Sequence, residues 1–220
     1  MNANLILKFL RDISKNNNRE WFEKNKPVYL EAKASFEDFL VDIHKEILKF
    51  DESLTSLNPR KIAFRIYRDV RFSKDKRPYK VNMGAGFSPH GKMEQEPGYY
   101  IHLEPGDKSM IAGGIYMPNP ENLAKIRQEI DYNPKAFLKI LNDKEFKKHF
   151  DGLSDWDRLK TAPKGYPKDH PQIELLKNKS FTVAKMFTDA QVKDPKFIKQ
   201  VIVAAKSIKK LNDYLGNAIA

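Results

Sequence analysis

The amino-acid sequence predicts an α+β fold in which a mostly antiparallel sheet of about four or more strands, in the middle of the chain, is packed by N-terminal and C-terminal helices. Apolar residues recur at helical spacing at both ends of the chain, and the stretch between them alternates with period two. Proline- and glycine-bearing turns separate the alternating runs.

At the N-terminal end Leu5, Ile6, Phe9, Leu10 and Ile13 line one helix face. Asn16–Asn18 interrupt the pattern. Asn18 is placed to cap a short helix carrying Trp21 and Phe22, because its side-chain oxygen can accept from a backbone N–H left without a partner at the helix start. Pro27 suits the first turn of a longer helix, where Val28, Tyr29, Ala32, Phe36, Phe39, Leu40, Ile43, Ile47 and Leu48 form a broad apolar stripe.

The period then changes. Ile62, Phe64 and Ile66 alternate with Ala63, Arg65 and Tyr67, the pattern of a half-buried strand. Strand-like runs follow at Val81–Phe87, Gly98–Leu103 and Ser109–Met117. Ser88-Pro89-His90-Gly91, with a polar extension to Pro97, and Glu104-Pro105-Gly106-Asp107 supply the turns. Helical patterns return at Glu121–Ile130 after Pro120, at Asn133-Pro134 through Leu141, and at Asp143–Phe150. Gly152–Pro171 is irregular, and a terminal helix is expected from Pro195 to Leu215.

A chain of 220 residues, 40% hydrophobic, suits one domain over residues 1–220 with a packed core. It has no cysteine, which removes disulfides, cysteine nucleophiles, iron–sulfur clusters and thiolate zinc sites together. Met1–Leu10 is only briefly apolar and Arg11, Asp12 and Lys15 follow, so neither a signal peptide nor a membrane span fits. A cytoplasmic protein with no membrane partner is the expectation.

The net charge of +11 is concentrated in two places. Arg60–Lys80 holds nine basic residues against Asp69 and Asp75, and Lys185–Lys210 holds seven lysines against Asp189 and Asp194. The rest of the chain is close to neutral, which points to an anionic partner. Lys199, Lys206 and Lys210 on the terminal helix read as a solvated face. Trp21, Tyr99 and Tyr100 offer stacking surfaces for bases, yet the sequence shows no RNP-type motif, helix-turn-helix or zinc finger, so nucleic-acid binding rests on charge alone.

If the first strand continues, Arg65, Tyr67, Asp69 and Arg71 share the face opposite Ile62, Phe64 and Ile66. Arginine presents a planar fork of donors that fits two oxygens of a carboxylate or phosphate. The segment is therefore either a charge-compensated structural cluster or an anion cradle. Asn82, Tyr100, His102 and Glu104 alternate onto matching faces of the next strands, and Arg65, Asp69, Asn82, His102 and Glu104 would converge if the registers align. A hydrogen-bonded structural histidine is the plainer reading of His102. Gly113-Gly114 allows close approach of a ligand, a bulge, or packing against a helix. The basic loop Lys164–Pro171 could fold over the sheet or lie on the surface. The five histidines, at 44, 90, 102, 149 and 170, lack ligand spacing, and no P-loop, G-x-G-x-x-G, G-x-S-x-G or kinase signature occurs, so no metal or cofactor is named.

The run Arg65-x-x-Arg68-Asp69-x-Arg71-Phe72-x-x-Asp75-Lys76-x-x-Tyr79 resembles the signature of a bacterial family named only as domain of unknown function 2461. Gly98–Pro105 and Gly113–Pro118 resemble it as well, so the resemblance spans nearly the whole chain. It implies no activity.

The residues together suggest a phosphate-bearing or other anionic small molecule held by Arg65, Arg68, Arg71 and Lys76. Tyr67, Tyr79, Asn82, Tyr100, Gly113 and Gly114 would line the pocket. Asp69 would orient the arginines, and His102 or Glu104 would act as the base if catalysis follows. A nucleic acid bound to both basic segments, or an acidic protein docked on them, are the alternatives.

Overall fold

The computed structural model describes residues 1–91 and 95–220. Its centre is a four-stranded antiparallel sheet in the order β1 (Met83–Phe87), β2 (Gly98–Leu103), β3 (Ser109–Ile115), β4 (Phe181–Phe187). Helices α1 (Ala3–Lys15), α2 (Arg19–Lys24) and α3 (Lys26–Ile47) precede it. Helices α4 (Pro120–Tyr132), α5 (Pro134–Leu141), α6 (Lys144–Lys147) and α7 (Ile173–Leu176) lie between β3 and β4, and α8 (Asp189–Lys193) and α9 (Phe197–Ile219) close the chain. The polar stretch between Gly91 and Pro97 falls partly outside the described residues. Among the described residues no helix is long and apolar enough to cross a membrane.

Local chemistry sets the helix starts. Asn18 accepts from the Trp21 N–H at 2.9 Å and opens α2, and Asn119 does the same for α4 through Asn122 at 2.8 Å. Pro27, Pro120 and Pro134 sit in first turns, where a missing N–H costs nothing.

The sheet has two unlike faces. Tyr99, Ile101 and Leu103 of β2 and Ile111 and Ile115 of β3 are buried on the face that meets α9, and Phe181 and Val183 of β4 are buried as well. Val201, Ala204, Ala205, Ile208, Leu211 and Leu215 form the buried side of α9. The helices α1 and α3 pack beside it, with Phe197 between Phe39, at a ring separation of 5.6 Å, and Phe187, at 5.1 Å. Each such Leu, Ile or Phe side chain removed from water contributes about 1.5–3 kcal/mol.

The contact between α9 and the sheet requires a glycine. A Cβ on Gly113 would lie 2.1 Å from Cγ2 of Ile208, so helix packing, rather than ligand approach, accounts for that residue. Gly114 adopts φ +103°, and its N–H donates to Oδ1 of the buried Asn212 at 2.9 Å.

Two strand expectations are corrected. Residues 62–71 do not form a strand: only Ala63 bridges to Ala85 of β1, and the chain then turns back on itself, with Tyr67 bridged to Tyr79. The N–H of Arg68 donates to the Pro78 carbonyl at 2.9 Å and that of Lys80 to Ile66 at 2.7 Å, which makes 66–80 a hairpin-like loop. The fourth strand is Phe181–Phe187, where apolar Phe181, Val183 and Phe187 recur at spacings of two and four. The lysine density that begins at Lys185 obscures that period.

Candidate functional site

The opposite face of the sheet carries a cavity of about 710 Å³, within the range of small-molecule sites. Antiparallel register decides what reaches it. Tyr100 opposes Ala112, and Ala112 opposes Ala184, so two alanines form a floor beside which the Tyr100 ring rises. Phe64 joins it because the Ala63–Ala85 bridge turns Phe64 to this face, with its ring 6.1 Å from that of Tyr100. Tyr116 and Trp156, stacked at 5.3 Å and about half exposed, form part of the wall. The segment bearing Trp156 is held along β4 by the Ser154 N–H, which donates to the Thr182 carbonyl at 2.7 Å.

Lys80 is the cation of this cavity. Its ammonium lies 5.5 Å from the centre of the Phe64 ring, and partial burial, followed by the nearby Arg65 charge, lowers its affinity for its proton. Among the described residues Lys80 forms no ion pair with a carboxylate, while Arg65 lies near enough to Asp69 for the two charges to interact. Two cations that repel one another beside an aromatic cavity favour an incoming anion.

One strand carries the acid–base groups. The hydroxyl of Tyr100 is 3.0 Å from Nδ1 of His102, and Nε2 of His102 is 3.0 Å from Oε2 of Glu104. Burial raises the Tyr100 hydroxyl to about 12, so it keeps its hydrogen and donates to Nδ1. Burial pushes the His102 imidazole below its usual value, against the pull of Glu104. Neutral His102 accepts from Tyr100 at Nδ1 and donates from Nε2 to Glu104. Glu104 is fixed in turn: its N–H donates to Oγ of Ser109 at 3.1 Å, and Lys108 stands 3.7 Å from its carboxylate.

The arginine-rich loop is differently disposed. Arg71 grips Asp69 with two bonds, Nε to Oδ1 at 3.0 Å and Nη2 to Oδ2 at 2.7 Å. Arg68 and Arg77 both meet Asp75 at 2.7 Å, and Lys76 donates to the Val70 carbonyl at 3.0 Å. Three arginines are thereby matched to two aspartates, which ties the turn together. Tyr79 is buried and stacks on Phe22 at 4.1 Å, and Tyr67 meets the same ring edge-on at 5.9 Å. Both tyrosines anchor the loop to α2 and do not line the cavity.

The structure therefore brings together Tyr100, His102 and Glu104, and places Tyr100 and Gly113 at the cavity. Arg65 lies where its charge is felt by Lys80 and Asp69. Arg65, Arg68, Asp69, Arg71, Lys76, Asn82 and Gly114 do not line the cavity. No sequence pattern links Phe64, Lys80, Tyr116 and Trp156, because three separate segments deliver them to the cavity. The loop around His170 lies against α4, where its Nε2 meets Asp131 at 2.9 Å.

A second cavity, of about 570 Å³, is lined by Asp51, Glu96 and Asp213 near the end of α9. Those acids are already engaged: Asp51 by Tyr99 and Ser53, Glu96 by His90, and Asp213 by Lys209. This cavity does not favour an anion.

The chain belongs to the family described as Conserved hypothetical protein (DUF2461), whose model matches residues 5–214. No curated protein and no solved structure matches it.

Proposed function

We propose that this member of the family binds an anionic small molecule with a planar, apolar body on the open face of its sheet. The supporting observation is Lys80: it borders an aromatic cavity, Arg65 raises the local positive potential, and Lys80 forms no ion pair with a carboxylate among the described residues. The anionic group would sit on Lys80, and the planar body among Phe64, Tyr100, Tyr116 and Trp156. Arg68 and Arg71, bound to Asp75 and Asp69, hold the loop that carries Arg65 and Lys80.

The test uses an aromatic sulfonate, 8-anilinonaphthalene-1-sulfonate, against the uncharged N-phenyl-1-naphthylamine. Energy transfer from Trp156 should report both probes, and Trp156→Phe should remove most of it. Lys80→Met should weaken the sulfonate roughly tenfold or more, as loss of a charge-assisted contact implies, and leave the neutral probe unchanged. Equal weakening of both probes, or of neither, would sink the reading.

A second reading is favoured by Phe72, which is 95% exposed at the tip of the basic loop with the Arg71 guanidinium 5.8 Å from its ring. An aromatic ring among cations is a surface on which a base of single-stranded nucleic acid can stack. Binding of labelled oligothymidylate should then weaken roughly tenfold in Phe72→Ala and fall steeply with salt. A flat salt response, or no effect of Phe72→Ala, would dismiss it.

A further inference from the structure

We infer that Tyr100 is a proton-transfer residue for a planar 2-oxo acid held in the cavity, with His102 taking the hydroxyl's proton and Glu104 stabilising the charged ring. This rests on the anion-binding reading above and names its substrate class. A 2-oxo acid with an aromatic body meets all three features of the site: rings for its plane, Lys80 for its carboxylate, and a hydroxyl backed by a base.

The relay is built by strand geometry. Period two places Tyr100 and His102 on the open face of β2, and Glu104 follows at the same spacing. Gly84 opposes His102 on β1, and a Cβ there would lie 2.6 Å from the Tyr100 hydroxyl. The seat of that hydroxyl thus exists because residue 84 lacks a side chain. A tyrosine needed only for packing would not require its hydroxyl to be 3.0 Å from an imidazole that is itself 3.0 Å from a carboxylate.

The step balances without a further reactant. A C–H bond next to the ligand's carbonyl breaks, and its electron pair moves onto the carbonyl oxygen to give the enolate. The proton goes to Oη of Tyr100 as the hydroxyl's own hydrogen passes to Nδ1 of His102. Glu104 stabilises the imidazolium through Nε2–H. Return of a proton by the same path to the carbonyl oxygen yields the enol, and reversal restores the keto form. Tyr100 is the catalytic residue, and His102 and Glu104 position it and hold its proton.

The relay sets the pH dependence, because only neutral His102 can accept. The titratable groups facing it are Tyr100 on β2 and Glu104 just after that strand, with Lys108 of the β2–β3 turn against Glu104. Its cross-strand neighbours, Gly84 of β1 and Met110 of β3, carry no charge. Burial favours the neutral ring, so activity should rise at a pH below the ordinary histidine value of about 6.5 and then level.

The experiment follows exchange of the C3 protons of phenylpyruvate with deuterium oxide by proton NMR, with quenching of Trp156 reporting binding. The wild-type chain should accelerate exchange over buffer. At saturating phenylpyruvate Tyr100→Phe, which keeps the ring that lines the cavity, should lower the rate roughly a hundredfold or more, and His102→Gln should abolish the low-pH limb. Thermal unfolding confirms that each variant folds. The inference is overturned if the wild type binds phenylpyruvate without accelerating exchange, if Tyr100→Phe keeps the rate, or if His102→Gln keeps the limb. Failure of phenylpyruvate to bind while the naphthalene sulfonate still depends on Lys80 overturns this inference alone. Loss of the Lys80 dependence overturns both.

Discussion

Asn17 holds Tyr79 by both of its backbone groups, Nδ2 donating to the carbonyl and Oδ1 accepting from the N–H, each at 3.0 Å. A side chain between α1 and α2 thereby completes one end of the 66–80 loop, which has too few backbone bonds of its own to be a strand pair. Asn17→Ala leaves two partly buried backbone groups without partners and should cost about 2 kcal/mol. Urea denaturation at pH 7 measures it, and an unchanged midpoint would refute the anchoring role.

Asp75 joins Arg68 and Arg77, and the hydrogen bonds from Arg77, ahead of those from Arg68, hold its carboxyl well below the usual range. The folded-state value is depressed, so the stabilisation is complete above the unfolded carboxyl value of about 3.9 and is lost as pH falls through the folded one. Asp75→Asn should therefore unfold at lower urea than wild type at pH 7, and the difference should narrow below about pH 4. A difference independent of pH would point to packing instead of charge.

Gly113→Ala should destabilise by about 1–3 kcal/mol, since the new methyl meets Ile208 at 2.1 Å and neither the strand nor α9 can yield freely. Ile208→Ala opens that space, so the double variant should be more stable than the sum of the two single losses predicts. Strict additivity in a double-mutant cycle would show that the two sites do not press on one another.

Tyr99 donates its hydroxyl to Oδ2 of the buried Asp51 at 2.7 Å, and burial, with Asp51 beside it, keeps the phenol far above its usual ionisation range. Tyr99→Phe takes this donor from a carboxylate that retains Ser53, with Lys209 at 3.9 Å. A loss of roughly 1.5–3 kcal/mol is expected at neutral pH, read as a shift in the denaturation midpoint. No shift would mean that Ser53 and Lys209 satisfy Asp51 alone.

Several elements were legible before folding because their causes are local. Asn18 before Trp21, Pro27, Pro120 and Pro134 in first turns, and the alternation in Gly98–Leu103 are visible in the sequence and are found in the structure. Residues 62–71 show where that reading stops. Alternation identifies a stretch able to pair, but pairing needs an available edge along its length. Beyond Ala63 this segment pairs with its own return limb, drawn back by Asp75 and Asn17. Phe181–Phe187 shows the opposite: its alternation is present in the sequence, but Lys185 within it opens a lysine-dense stretch that masks the period.

By itself the sequence determined the α+β class, the positions of the major helices, and the spacing of Tyr100, His102 and Glu104 along one strand, because periodicity and capping act over a few residues. Tertiary structure decided which cations are spent and which remain. Asp69 and Asp75 engage Arg71, Arg68 and Arg77, while Lys80 forms no ion pair with a carboxylate among the described residues. Charge counting cannot separate them, since an ion pair depends on a few ångströms in space. The cavity has the same origin: Phe64, Lys80, Tyr100, Tyr116 and Trp156 become neighbours only when the sheet register and the return of β4 place them on one face.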